Sequence, residues 1–426
     1  MVALYHVKAK DKKESDMNNL LHTPEGVRDV YDAECARKLE VQKKITGVLH
    51  SYGYSQIETP AFEYFDIFNK ERGSVSSREM FKFFDRDNET LVLKPDMTPA
   101  ISRCVAKYFL DETMPLRLCY LERTYINSLG YQGRLKETTQ TGAELIGDDS
   151  PEADGEMIAM VIDSLKSVGL TEFQVELGQV DFFRGLVEEA GMDRETEDRL
   201  RELIESKNHF GVAELIGEQN ISDRLKAAFL KLPELFGSTE ILGEARALTD
   251  NQRALAAIDR LENVYGILEI YGLSSYVTFD LGMLSKYQYY TGIIFKGYTY
   301  GTGDYIVNGG RYDKLLVQFG KDAPAVGFAI GVDNLLMALS RQKIDVPARM
   351  TDSVIVYWEG EERRAIPMAQ ELRAQGKNVQ LLKQTSMRSM RACEAFAAAR
   401  GANALIYFDR KTGLPVLVEP QKEVQA

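Results

Sequence analysis

What most limits how this chain can fold is a change of hydrophobic period along its length. Short strand-like runs lie on both sides of residues 188–271, a block of about 80 residues that reads as helix throughout. Asp193 is placed to cap a helix carrying Leu200, Leu203 and Ile204, and further helical runs cover 224–230 and 252–268. Upstream, Val41, Ile45, Val48, Leu49 and Tyr52 share one face of a helix that begins near Asp32 and stops at Gly53. Residues 54–59 alternate like a strand before Pro60, and 80–84 with 90–93 flank the turn Asp85-Arg86-Asp87-Asn88 as a hairpin. Downstream, strands are expected at 275–280 and 292–300, with 305–307 pairing back across Gly301-Thr302-Gly303-Asp304. Beyond a connector at 343–352, strands at 354–357, 379–382 and 404–407 alternate with helices at 361–375 and 387–400. That alternation predicts a small parallel α/β domain.

Composition narrows the function classes. A chain of 426 residues suggests two or three domains. Its net charge of −12 carries no basic excess of the kind that marks a nucleic-acid binder, so no nucleic-acid partner is expected. The four cysteines are scattered, and the four histidines, all in the first half, stand apart from other ligand types. Neither a metal site nor a Cys–His pair is expected. Residues 1–20 are polar and lysine-rich, and read as a flexible arm rather than a signal peptide. No run of 18 apolar residues occurs, so no membrane span is expected and the expected location is the cytoplasm.

Four segments invite chemistry. In Lys94-Pro95-Asp96-Met97-Thr98-Pro99, a carboxylate and a hydroxyl two residues apart would share one face of an extended segment and suit an ammonium group. Asp96 is equally placed to cap a helix starting near Pro99. In 137–147 the spacing puts Thr138, Gln140, Gly142 and Glu144 on one strand face. Such polar groups beside Leu145 and Ile146 need a partner. A ligand is one such partner, and solvent is the other. In Tyr287-Gln288-Tyr289-Tyr290-Thr291 the tyrosines either line a pocket for a small polar ring or pack in a core. In Asn308-Gly309-Gly310-Arg311-Tyr312-Asp313 the paired glycines allow close backbone approach or positive φ.

Together and in this order, these segments resemble histidyl-tRNA synthetase and its non-synthetase paralogue, the regulatory subunit of ATP phosphoribosyltransferase. The likeness runs over about 21–339. Residues 23–29 look like the family's opening, and Gly53-Tyr54-Ser55-Gln56-Ile57-Glu58-Thr59-Pro60 looks like the first class II motif, which ends in an interface proline. Leu93-Lys94-Pro95-Asp96-Met97-Thr98 resembles the ammonium-binding segment, with Asp96 in place of the synthetases' Glu. By this resemblance Asp96, Thr98, Gln140, Glu144, Tyr289, Tyr290 and Tyr312 match the positions that hold histidine.

The departures fall on the nucleotide side. Adenylate formation needs cations at the phosphoryl oxygens, where charge develops in the transition state. The positions matching the synthetases' three arginines are Ile126, Ser285 and Asn334. Arg123 replaces the first only if the register slips, and Arg134 alone does not replace three. The resemblance therefore implies a histidine-binding subunit with no catalytic residues, cofactor or metal of its own. The implied fold is α+β: a class II synthetase-like antiparallel sheet flanked by helices over 21–345, with the helical insertion. A small α/β domain over 352–426 follows, a reduced remnant of an anticodon-binding domain. Implied partners are a second copy of the chain and a short-form ATP phosphoribosyltransferase catalytic subunit, in a hetero-octamer that L-histidine inhibits. The alternatives are an active histidyl-tRNA synthetase and a synthetase-like scaffold.

Overall fold

Two ten-residue strands, paired with each other along their whole length, organise the larger part of the chain. The computed structural model describes residues 21–68, 75–109, 111–128, 135–284, 289–347, 351–385, 389–409 and 412–419. The expected arm at 1–20 lies outside them. The chain divides into two compact units, one built on Val41–Asp345 and the other on Val346–Ala426 with Val30–Glu40.

In the larger unit the strands are, in chain order, β1 (Ser55–Gln56), β2 (Phe62–Tyr64), β3 (Lys82–Phe84), β4 (Thr90–Leu93), β5 (Leu116–Tyr125), β6 (Glu137–Ile146), β7 (Phe173–Gln179), β8 (Phe236–Gly237), β9 (Val277–Asp280), β10 (Ile293–Thr299), β11 (Val307–Arg311) and β12 (Ala325–Gly331). Nine of them form one sheet in the order β1-β5-β6-β12-β11-β10-β7-β9-β8. The sheet is mixed: its neighbours are antiparallel except for two parallel joints, β1 with β5 and β7 with β9. The expected hairpin at 80–93 forms as β3 and β4, and β2 completes a separate three-stranded sheet, β2-β4-β3.

Three local expectations change. The strand expected at 54–59 shrinks to β1. Beyond it Ile57 still donates to the Cys119 carbonyl at 2.8 Å, but Thr59 N donates at 2.7 Å to the Glu122 side chain, which replaces the ladder. The strand after the Gly301–Asp304 turn, expected at 305–307, begins at Val307 and runs to Arg311, where β10 and β12 pair with it on both sides. Asp96 and Thr98 do not lie on an extended segment; Thr98 opens the helix Thr98–Tyr108, one residue before the expected start.

Helices cover the sheet. Val41, Ile45 and Leu49 are fully buried on the helix Asp32–Ser51, as their spacing predicts, while Val48 is half-buried. Asp193 caps Arg194–Glu205 by accepting from Thr196 N at 2.8 Å, and Leu200 and Ile204 are buried there. Burial of each such side chain contributes about 1.5–3 kcal/mol. The expected helices at 224–230 and 252–268 are Asp223–Lys231 and Gln252–Ile270; His209–Gly217, Glu240–Ala247 and the edge strand β8 are additional.

The smaller unit holds β13 (Ser353–Tyr357), β14 (Val379–Lys383), β15 (Ala404–Phe408) and β16 (Pro415–Val418), in the order β14-β13-β15-β16. The first three are parallel, as the alternation predicts, while β16 adds an unexpected antiparallel edge. Val354, Val356 and Leu405 pack on Cys393 and Ala397 on one face; Ile355 and Ile406 meet Ala365 and Ala369 on the other. Burial on both faces explains why these strands read as continuous apolar runs. Among the described residues no helix is long and apolar enough to cross a membrane.

Candidate functional site

The site sits where β6, β12, β11 and the turn before β10 converge on the start of Thr98–Tyr108. Strand register brings Glu144 of β6 opposite Gly327 of β12. A Cβ at Gly327 would stand 1.6 Å from Glu144 Oε2, so only glycine leaves room for the carboxylate. The paired glycines of β11 serve close approach, without positive φ. A Cβ on Gly309 would meet the Phe295 ring at 2.4 Å, and one on Gly310 would meet the Tyr290 ring at 2.8 Å.

Glu144 is buried and bonded on both oxygens. Tyr312 OH donates to Oε2 at 2.5 Å and Thr98 OH to Oε1 at 3.0 Å. Burial pushes its carboxyl up to about 8, and the charge of Asp96 adds to the rise; the two hydroxyl donors oppose it. Asp96 stands one residue before the helix N-cap, which is Met97 and has no side-chain cap bond. Its Oδ1 accepts from Thr98 N at 3.3 Å at the helix start, and its Oδ2 accepts from Tyr289 OH at 3.2 Å. Tyr289 meets Tyr290 edge-on at 4.9 Å between ring centroids and Tyr312 at 6.1 Å. Asn308 Nδ2 donates to Tyr290 OH at 3.4 Å.

Asp96, Thr98, Gln140, Tyr289, Tyr290 and Tyr312 line one cavity of about 200 Å³. Glu144 stands behind that wall, reaching it only through Thr98 and Tyr312. Six of the seven expected residues therefore face the space, and the seventh orients two of them. The cavity suits a small molecule with a hydrogen-bonding ring and an amino group, facing tyrosine edges and the Asp96 carboxylate.

The other end of the cavity is lined by Ile126, Thr138, Asp304, Asp333 and Asn334. Among the described lining residues none is Lys or Arg. Asn334 Nδ2 donates to the Tyr305 carbonyl at 3.4 Å, and Asp333 Oδ2 accepts from Thr139 N at 2.7 Å. The β5–β6 register runs without a slip from Leu116 to Tyr125, Ile126 lines the cavity, and Arg123 is paired with Glu137 at 2.5 Å. Ser285 and Arg134 lie outside the described residues. Among the described residues no cluster of His, Cys, Asp or Glu is placed to hold a metal ion.

A buried ion pair frames the inner end. Arg311 reaches Asp154 Oδ1 through Nε at 2.9 Å and Nη2 at 2.7 Å, Asp313 through Nη1 at 3.1 Å, and the Asp148 carbonyl at 3.0 Å. Asp313 in turn accepts from Thr291 OH at 3.0 Å and from Ala325 N at 3.1 Å. The segments carrying Tyr290, just before β10, and Tyr312, just after β11, are thereby locked together. Sequence reasoning misses Asp154, and it misses Tyr120, whose hydroxyl donates to the Phe328 carbonyl at 3.3 Å beneath the cavity. It misses the role of Gly327 as well, where a glycine inside an apolar strand run is the available signal.

Comparison with known proteins places the chain in a family. The chain matches the family described as histidyl-tRNA synthetase over residues 26–335. It is 42% identical over 362 residues to the ATP phosphoribosyltransferase regulatory subunit of Acetivibrio thermocellus, covering 85% of this chain and 86% of that one. The protein of the same name from Ruminiclostridium cellulolyticum is 40% identical over 388 residues, covering 91% and 92%. Among solved structures, an ATP phosphoribosyltransferase regulatory subunit/histidyl-tRNA synthetase from Bacillus halodurans aligns with a TM-score of 0.81 at 34% identity, covering 91% of this chain and 98% of that one. A histidyl-tRNA synthetase from Nostoc sp. PCC 7120 shares the fold, with a TM-score of 0.77 at 20% identity over 94% of this chain and 97% of that one. The chain belongs to the ATP phosphoribosyltransferase regulatory subunit family, whose fold is that of the class II histidyl-tRNA synthetases.

Proposed function

We propose that this chain is a non-catalytic regulatory subunit of ATP phosphoribosyltransferase that senses histidine for a short-form catalytic partner. The partner would carry out the first step of histidine biosynthesis. One observation carries the reading: a tyrosine-walled cavity with Asp96 and Thr98 at one end has Ile126 and Asn334 at the other. Neither of those side chains can neutralise a phosphoryl oxygen, and losing even one transition-state donor typically costs about 10²–10³ in rate. In this reading Asp96 and Thr98 take the ammonium group and Gln140, Tyr289, Tyr290 and Tyr312 flank the imidazole. Glu144 holds Thr98 and Tyr312 in place. The working assembly would be a homodimer of this chain joined to catalytic subunits in a hetero-octamer in the cytoplasm. Feedback follows if histidine binds two states of that assembly with unequal affinity, and linkage then makes the coupling reciprocal.

The test pairs this chain with the short catalytic subunit of the same genome and follows phosphoribosyl-ATP formation. Activation by this chain that histidine reverses is the expected result. Failure to activate or to co-elute overturns the proposal. Histidine-dependent ATP–pyrophosphate exchange by this chain alone would assign it to the synthetases instead.

A further inference from the structure

Behind the Tyr289–Tyr290 pair lies a second cavity, larger than the first at about 530 Å³. That size lies within the usual range for small-molecule sites. Its floor is apolar, made by Val180, Phe183 and Leu315 together with the two tyrosines. All five are buried in the fold and present only part of their surface to the cavity.

The rim is charged, and its charges are not evenly matched. Arg184, Arg194, Arg201 and Lys314 face Glu197 and Asp198 across it. Arg201 engages both carboxylates, Glu197 at 2.5 Å and Asp198 at 3.0 Å, and lies 6.0 Å over the Phe183 ring. Arg184, Arg194 and Lys314 remain, and among the described residues only the first of them has a carboxylate partner. Arg184 donates one nitrogen to the Tyr290 carbonyl at 3.0 Å, and another stands 3.7 Å from Asp181. Asp181 is already held by Arg253 at 2.6 Å. Among the described residues neither Arg194 nor Lys314 takes part in an ion pair. In a chain whose net charge is −12, a rim of four cations and two carboxylates, with Arg194 and Lys314 in no ion pair among the described residues, is a local inversion of the average. Guanidinium groups favour planar, two-pronged contacts with phosphoryl oxygens, and a nearby ammonium adds a point charge. A bare ion would leave the aromatic floor uncovered.

We propose that this cavity binds an organic phosphate, its phosphoryl group held by Arg184, Arg194 and Lys314 and its body laid against the floor beside Val180 and the tyrosine pair. The two cavities share Tyr289 and Tyr290 as a common wall but no charged residue, so the phosphate rim does not rest on the histidine reading.

Calorimetry on the full chain at low salt, with adenosine 5′-monophosphate, ribose 5-phosphate and inorganic phosphate as probes, tests it. At least one organic phosphate should bind with a Kd below about 1 mM, and inorganic phosphate about tenfold or more weakly than that. Binding of the nucleotide alone assigns a nucleotide site, and binding of the sugar phosphate alone a sugar-phosphate site. Arg194→Ala with Lys314→Ala, both at exposed positions, should weaken the bound probe about tenfold or more while leaving the melting temperature unchanged. Three results overturn the proposal: silence from both organic phosphates at millimolar concentration, inorganic phosphate binding as tightly as they do, or an affinity unmoved in the double variant.

Discussion

The two ends of the tyrosine-walled cavity are built differently. At the inner end each polar group is held by another: Glu144 by Tyr312 and Thr98, Asp96 by Tyr289, and the strands behind them by Arg311. At the outer end Ile126 presents only carbon, and Asn334 spends its amide on a backbone carbonyl. An arrangement fixed before a ligand arrives gives affinity without reorganisation, which is what a sensor of a small ligand requires. Among the described residues the outer end offers no cation of the kind that phosphoryl transfer demands. The comparison teaches that one cavity can join a preformed hydrogen-bonded end to an end whose described lining offers carboxylates, an amide and hydrocarbon but no cation.

The largest effect is expected where the inner end is framed. Asp154 is fully buried and holds both Arg311 and Arg260. Asp154→Ala leaves two guanidinium groups without their carboxylate and should cost about 3–5 kcal/mol of stability, read from denaturant unfolding. A loss under about 1 kcal/mol would break the claim that this frame is what makes the inner end rigid.

Gly327→Ala comes next. Its methyl group would displace the Glu144 carboxylate and with it both hydroxyls. Overpacking of this kind costs about 1–3 kcal/mol, and histidine affinity measured by calorimetry should fall about tenfold or more. Unchanged affinity with a lowered melting temperature would detach Glu144 from recognition altogether.

Much of this inner end is legible in the amino-acid sequence. The period of two in 137–146 announces one face carrying Thr138, Gln140 and Glu144, and it is the face that meets the cavity or its wall. Caps such as Asp193 are readable because their hydrogen bonds close within three residues. The frame is not readable, since Asp154 and Arg311 are 157 residues apart in the chain and only the sheet brings them together. The role of Gly327 likewise depends on the β12–β6 register. β8 and β16 escape for another reason. β8 is only two residues long and shows no period, while β16 does carry an apolar run but opens on Pro415, a residue that reads against a strand except at an edge or a first position. The segment after β1 misleads through Thr59, where a side chain from β5 stands in for the ladder.

A smaller effect sharpens the comparison through pH. The Glu144 carboxyl is raised from 4.5 to about 8 in the folded chain, first by burial. The folded state therefore keeps a proton that the unfolded chain releases between those values. Its contribution to stability is complete below about 4.5, declines as pH rises, and is lost once pH passes about 8. The slope from this one group is at most about 1.4 kcal/mol per pH unit. Glu144→Gln keeps the shape and removes the titration, so its unfolding midpoints from pH 5 to 8 should lie on a flatter line than those of the parent chain. Parallel lines would mean that Glu144 is ionised in the folded chain and that the inner end holds a charge.

The smallest effect is expected at the outer end, and its smallness is the point. Asn334→Arg puts a cation where the cavity has an amide, at the cost of one 3.4 Å hydrogen bond to Tyr305. A single half-exposed charge gains about 1 kcal/mol or less against a phosphate, so ATP affinity should rise less than about tenfold. Histidine-dependent ATP–pyrophosphate exchange should stay at background. One cation cannot align the α-phosphate while Ile126 presents a hydrocarbon across from it, and adenylation needs that alignment as well as the charge. Measurable exchange in the single variant would show that the outer end retains the geometry of chemistry and lacks only charge. The difference between the two ends would then be one of side chains and not of architecture.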